Sequence, residues 1–126
     1  MLKAKVTLRI ASRSRSLSAI QALLGAPTDE YSSEERDGGS GRVTKKTVWE
    51  LQVQGAPFEL LILEMAAILD SHSHKIVDLS RDCEIELFCY LYSENGQGGA
   101  TLSRDVLKRL ALHNVDIHLD IYAPVG

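Results

Sequence analysis

Alternating apolar and polar residues mark four segments of the chain as β-strands, because successive side chains of a strand point to opposite faces. The clearest alternation covers Cys83 to Tyr92, and a similar one covers residues 2–10. Two further strands are predicted around 43–54 and 115–122. The buried positions predicted for the 43–54 strand are Val43, Trp49, Leu51 and Val53. These half-apolar strands favour a sheet that is buried on one side.

Apolar residues at helical spacing follow the first and third of these strands. A short helix begins after Ser16 or Ser18, either of which can cap it, and ends at Gly25. Another helix begins after Ser103 as its cap.

The segment 57–81 has helical periodicity throughout, but its sequence DSHSH consists of residues that favour caps and turns. One continuous helix here would be about 36 Å long, longer than a nine-residue strand of about 30 Å. We therefore predict two helices, 57–70 and 73–81, with Ser71 or Ser73 capping the second.

Residues 28–42, TDEYSSEERDGGSGR, are polar, acidic and rich in glycine. Such a composition is typical of a loop, and we predict that this one is mobile.

These elements predict an α+β fold, a four-stranded, mostly antiparallel sheet with three to four helices on one face. Opposite charges on neighbouring strands are favourable, which bears on the order of the strands. The first strand carries Lys3, Lys5 and Arg9, whereas the last two carry Glu84, Glu86, Asp116 and Asp120. We therefore expect the first strand to lie between the last two, as in ferredoxin-like folds.

Composition narrows the class of protein. The 126 residues suit a single domain spanning 1–126, and 44% hydrophobic and 25% charged residues are ordinary for a globular protein. A net charge of −3 gives no general attraction to nucleic acid, and the longest apolar stretches are too short for a bilayer. The N-terminus lacks the apolar run of a secretory signal. We expect a cytoplasmic protein that binds neither nucleic acid nor membranes.

The two cysteines, Cys83 and Cys89, fall on the apolar face of one predicted strand. Six residues of strand separate their Cα atoms by roughly 20 Å, which exceeds the ~7 Å limit for a disulfide. We interpret both as small core residues. The pair His72 and His74 lacks the further ligands of a recognisable zinc site, so no metal is predicted.

Two strand–helix corners are candidates for anion binding. One is the glycine loop of Gly96, Gly98 and Gly99, which lacks both the lysine of a P-loop and the spacing of a dinucleotide fingerprint. A turn is the simpler interpretation, and no cofactor is predicted. The other corner has Arg13 and Arg15 just before a helix N-terminus, which attracts anions. Its alternative is a solvated loop whose arginines pair with surface acids, for example in 29–37.

The remaining candidate functional residues lie on the polar face of the last two predicted strands. Aromatic residues beside charges are typical of partner-binding surfaces. The candidate interaction face consists of Phe88, Tyr90, Tyr92, Tyr122, Glu84, Glu86, Asp116, His118 and Asp120. Its carboxylates and histidine could also act as acid/base machinery, but cross-strand pairing with lysines and arginine explains them more simply.

Several segments together resemble one family. They are ALLGAPTDE, TVWELQV, CEIELFCYLYSENGQGG, TLSRDVLKRL and NVDIHLDIY. In their order and spacing they resemble the bacterial family known as domain of unknown function 4279. The resemblance implies a small α+β domain with no established activity, and it raises an immunity-type role, binding a toxin, for some members. The chain departs from the family in having SLS at a helix start that is usually acidic and proline-containing, which affects capping alone.

The function that these observations favour is a non-catalytic protein-binding module, whose unidentified partner is another protein or a second copy of the chain. The alternative is a small-molecule or anion-binding domain, which would need a pocket where Arg13, Arg15 and the glycine loop converge. No residue pattern indicates an enzyme, so we identify no catalytic residue.

Overall fold

The computed structural model describes residues 2–123. Within them, five strands and four helices follow one another along the chain. Their order and bounds are β1 (Leu2–Ser12), α1 (Leu17–Leu24), β2 (Asp29–Arg36), β3 (Val43–Gln54), α2 (Phe58–Ser71), α3 (Ser73–Leu79), β4 (Cys83–Ser93), α4 (Arg104–Ala111) and β5 (Asp116–Tyr122).

The strands form one mixed sheet in the order β2-β3-β1-β4-β5. Antiparallel pairing joins β2 to β3, β3 to β1 and β1 to β4, whereas β5 runs parallel to β4. The helix α4 makes the crossover that such a parallel pair requires. The α+β class is thus confirmed, with five strands instead of the predicted four.

One face of the sheet is covered by helices, and the main core lies between the two layers. Val6, Leu8 and Ile10 of β1 are buried there with apolar residues of β3 and β4. All four helices contribute, and α2 supplies the largest share, from Phe58 to Leu69. Trp49 is buried as predicted, and its Nε1 donates a hydrogen bond to the carbonyl of Gly25, 3.1 Å away. We call the opposite, helix-free side of the sheet the open face.

The prediction of a loop at 28–42 was wrong over most of its length. Residues 29–36 form the edge strand β2, which pairs along its whole length with β3. A short turn follows, in which the carboxylate of Asp37 accepts hydrogen bonds from the Gly39 amide and the Ser40 hydroxyl. Because both faces of β2 are polar, its sequence has no apolar alternation by which a strand could be recognised. Val43, beside this hairpin turn, is correspondingly exposed.

The predicted strand order was also wrong. β1 lies between β3 and β4, and β5 contacts only β4 among the strands described. This is not the ferredoxin-like order, which would place β1 between β4 and β5. The extra strand β2 reverses the chain, so β3 runs antiparallel to β1 and occupies the place expected for β5.

The helices agree more closely with the sequence. The break between α2 and α3 falls at His72, as the DSHSH segment predicted. Ser16 and Ser103 cap α1 and α4, accepting hydrogen bonds from the amides of Ala19 and Val106. Neither Ser71 nor Ser73 caps α3, because His72 occupies the cap position and the Ser71 hydroxyl bonds back to a carbonyl of α2.

Candidate functional site

The open face brings together every residue of the candidate interaction face. They lie on two adjacent strands, Glu84, Glu86, Phe88, Tyr90 and Tyr92 on β4 and Asp116, His118, Asp120 and Tyr122 on β5. Because β4 and β5 run parallel, Phe88 lies beside His118 and Tyr92 beside Tyr122. Sequence patterning therefore placed these side chains on the correct side of the sheet.

Five rings form a continuous row on this face, which we call the aromatic strip. It consists of Phe88, Tyr90, Tyr92, His118 and Tyr122. The rings of Phe88 and His118 stack with centroids 4.5 Å apart and planes 12° from parallel. Tyr92 and Tyr122, at the end of the strip, are 40% and 53% exposed. The exposed rings of the strip are thus His118, Tyr92 and Tyr122, whereas Phe88 and Tyr90 are partly buried.

Tyr90 connects the two halves of the strip. The Lys5 ammonium lies 4.6 Å from the centroid of its ring, a cation–π geometry. Burial, followed by the nearby Asp120 carboxylate, raises the pKa of the Tyr90 phenol. The hydroxyl is thus protonated at neutral pH and can donate a hydrogen bond.

Two carboxylates at the other end of the face, those of Glu84 and Glu86, contact basic side chains. Glu86 contacts both Arg9, at 3.4 Å, and His118 Nε2, at 2.6 Å. The Nζ of Lys46 lies 2.9 Å from Glu35 and 3.0 Å from Glu84. The hydrogen bonds to Glu35 and Glu84, in that order, raise the pKa of Lys46. Paired carboxylates of this kind support a structural role for these residues over acid/base chemistry.

The pairing predicted with β1 holds at one position out of three. Arg9 pairs with Glu86, but Lys3 bonds Glu94 at 3.1 Å and Lys5 lies over Tyr90. Asp116 and Asp120 form no ion pair with β1 within residues 2–123, and β4 lies between β5 and β1.

The arginine corner is occupied by the protein's own acids. Nε of Arg15 lies 3.0 Å from each oxygen of Asp82, and its NH1 lies 3.1 Å from Asp78. These hydrogen bonds raise the pKa of Arg15. Arg13 contacts Glu35 at 3.5 Å. The surface-pairing interpretation of the two arginines is therefore the one that the contacts support.

The glycine loop lies at the opposite end of β1 from the arginines. A Cβ on Gly98 would come within 3.0 Å of the Leu2 side chain, whereas Arg13 follows Ser12 at the other end of the strand. The positive φ angles of Gly96 (75°) and Gly98 (138°) support the interpretation as a turn. A cavity of about 140 Å³ beside the loop is lined mainly by apolar groups, including Leu91. The corners expected to converge on one anion thus do not meet.

Neither metal nor thiol chemistry is supported by the geometry of residues 2–123. No group of three or more histidine, cysteine, aspartate or glutamate side chains among them could hold a metal ion. Cys89 is buried in the core, and burial raises its pKa to about 11, so its thiol is protonated at neutral pH. Both cysteines are free, and Cys83 is partly buried.

Within residues 2–123, no helix is long and apolar enough to cross a bilayer.

Sequence reasoning missed the contribution of β2 and β3 to the open face. Lys46 is 6% exposed, and the hydroxyl of Tyr31 donates to Glu50 at 3.1 Å. Thr7, in the middle of the face, is 2% exposed and its Oγ1 lacks a hydrogen-bond partner among the described residues. Once β2 is known to be a strand, period-two alternation would have placed Tyr31 here. The same alternation places Lys46 and Thr7 on this face, but no local signal predicts that they are buried.

A helix layer on one side of a mixed five-stranded sheet, with an aromatic strip on the other, defines a small α+β domain. A family model, Domain of unknown function (DUF4279), matches residues 2–124. The chain belongs to this family, as the sequence resemblance predicted. No curated protein and no solved structure gives a significant match.

Proposed function

We propose that this domain is a non-catalytic protein-binding module and that its partner docks on the aromatic strip of the open face. The observation that carries the proposal is the uncovered row of rings on β4 and β5, which ends in the exposed pair Tyr92 and Tyr122. Tyrosine is enriched at protein interfaces, where its ring supplies contact area at low entropic cost and its hydroxyl supplies a hydrogen bond.

The charges around the strip support recognition of a protein over a purely apolar ligand. Lys5 and the acidic residue Asp120 flank the ring of Tyr90. The contact of Glu86 with Nε2 of His118 holds the imidazole against Phe88, so this part of the strip is ordered before any partner arrives. Preorganised side chains lose less entropy on binding, which favours affinity.

The alternative function, anion binding at the strand–helix corners, has less support. Both arginines are paired with carboxylates and the glycine loop lies at the far end of β1.

An immunity-type role, in which the partner is a toxin, is the specific form of the protein-binding proposal that the family resemblance raises. Identification of the captured partner decides between a toxin and another protein.

Quantitative affinity capture from an extract of the source cells tests the proposal. The full chain is compared with a double variant, Tyr92→Lys with Tyr122→Lys, which removes the exposed rings and adds two charges. The control is Leu60→Lys with Val77→Lys, two side chains of the helix layer that are 57% and 52% exposed.

We expect the parent and the control to enrich the same partner, and the tyrosine variant to lose it. Circular dichroism verifies that all three chains fold. A partner that the tyrosine variant retains, or that both variants lose equally, would contradict docking on the aromatic strip.

A further inference from the structure

Strand β5 leaves one edge of the sheet open and apolar. It pairs only with β4 among the described strands, so its outer backbone groups have no partner strand. Leu119 and Ile121 point toward the helix side but are 50% and 72% exposed, since α4 packs against α2 and leaves them uncovered. Among the aliphatic residues of β5, only Ile117 packs against the core. An open edge with exposed apolar side chains is a template for another strand.

The opposite edge of the sheet is built differently. β2 reads DEYSSEER, and its charged residues are typical of an edge protected from pairing. The two edges of the sheet thus differ in their charge, which controls whether another strand can pair with them. This contrast directs a partner strand to β5.

We propose that β5 pairs antiparallel with β5 of a second copy, about a two-fold axis that passes through Leu119, to give a continuous ten-stranded sheet. The two-fold symmetry makes the contact self-complementary, as in most homodimers. The inference is independent of the proposed docking function, because it concerns the edge of the sheet and a second copy of the same chain.

The register follows from the sequence of the strand. Directly opposed residues of two paired strands point to the same face of the sheet. An axis between two residues would oppose each residue to one that points to the other face, so the axis must pass through a residue. An axis at Leu119 pairs all seven residues of Asp116–Tyr122. An axis at Ile117 or Ile121 would leave most of the strand unpaired.

Charge excludes the axes at His118 and Asp120, which would pair five of the seven residues of the strand. An axis at His118 would oppose Asp116 to Asp120 of the partner subunit, and an axis at Asp120 would oppose that residue to its own copy. Like charges directly opposite one another are unfavourable. With the axis at Leu119, His118 faces Asp120 of the partner subunit on the open face, and this pair occurs twice.

The same register buries the exposed apolar groups. Leu119 meets its own copy at the axis, and Ile121 lies opposite Ile117 of the partner subunit, all on the helix side. The open faces of the two copies then join, which brings both aromatic strips onto one surface. Dimerisation and capture of a different protein on the strip are therefore compatible.

Sedimentation of the purified full chain over a range of concentrations tests the dimer. We expect a reversible monomer–dimer equilibrium. Leu119→Lys, which places two ammonium groups at the axis, should weaken the dimer by at least about tenfold. The matched control Leu60→Lys, an exposed leucine of α2, should leave it unchanged. A parent that sediments as a monomer at every concentration overturns the proposal.

Mild oxidation of two single-cysteine additions tests the register. In Leu119→Cys the introduced residues face each other with Cα atoms about 4.5–5.5 Å apart, within the ~4.4–6.8 Å range of a disulfide, so a covalent dimer should form. In Ile121→Cys the introduced thiols are four positions apart, about 14 Å, and should not cross-link. Both additions are made in a Cys89→Ala chain, because Cys89 lies directly beside position 119 in the β4–β5 register and would compete for the introduced thiol. The Cys89→Ala chain without an addition is the background control. Equal cross-linking of both variants, or none with Leu119→Cys, contradicts this register.

Discussion

Asp70 shows how a single carboxylate connects two helices of the core layer. It lies in the last turn of α2, 2.7 Å from Nε2 of His113 and 2.8 Å from NH2 of Arg109. His113 is itself buried, although histidine is usually found nearer the surface. The hydrogen bonds from His113, and then Arg109, lower the pKa of Asp70. Nothing in the local sequence predicts this contact, because its members are about 40 residues apart.

We expect Asp70→Asn to destabilise the fold by about 1 kcal/mol at neutral pH, since the buried imidazole loses a charged partner that is itself 40% exposed. Because the folded pKa of Asp70 is lowered, its contribution is present above the unfolded pKa of about 3.9 and is lost as pH falls through the folded value. The difference between parent and variant should therefore shrink below about pH 4. Urea denaturation at a series of pH values measures it.

Glu64→Gln provides the control, because it changes a carboxylate of the same helix that forms no ion pair with any residue from 2 to 123. Its effect should be small at every pH. A parent–variant difference for Asp70→Asn that stays constant down to pH 2 would show that the carboxylate is not the source of the stability.

At the scale of elements, the sequence predicted best where one face of an element is buried. The alternation in β1 and β4 and the stripe of α2 correspond to real core faces, and the helix break at DSHSH is correct. β2 was missed because neither of its faces enters the main core, so pairing with β3 stabilises it and leaves no apolar pattern. The caps predicted correctly, Ser16 and Ser103, are those whose hydroxyl accepts a hydrogen bond from the amide three residues further along the chain.

The caps supply a matched pair of substitutions. Ser103→Ala should cost about 0.5–2 kcal/mol, because it removes the acceptor for the Val106 amide at the start of α4. Ser73→Ala makes the same chemical change at the first residue of α3, where the serine caps nothing, and should stay within about 0.5 kcal/mol. Chemical denaturation of both variants measures the difference. Equal losses would mean that the cap hydrogen bond has no special role.

At the scale of the whole molecule, the side of the sheet on which residues lie was predictable, but strand order was not. The face follows from period-two alternation, which is local, and all nine candidate residues of β4 and β5 lie on the predicted side. The order of the strands depends instead on which strands, distant in sequence, lie on either side of β1. The expectation that oppositely charged strands are neighbours placed β5 beside β1. In the structure, β5 lies beside β4 instead, and its residues Asp116 and Asp120 have no basic strand next to them.

The same reasoning explains why the arginine corner looked like a binding site in the sequence. Asp78 and Asp82 are more than 60 positions away from Arg15, and only the fold places them against its guanidinium. The aromatic strip, by contrast, keeps its exposed end in the folded chain. For this reason we propose the open face of the sheet, and not the arginine corner, as the binding surface.

Site-specific photocross-linking tests this assignment most directly, because it reports contact and not affinity. A photoreactive phenylalanine analogue replaces Tyr92 on the strip or, as the control, Leu60 on the helix layer, and both chains are irradiated in an extract of the source cells. We predict a discrete covalent adduct with one protein from position 92 and none with that protein from position 60. An adduct with the same protein from position 60 alone, or no adduct from position 92, would contradict the open face as the binding surface.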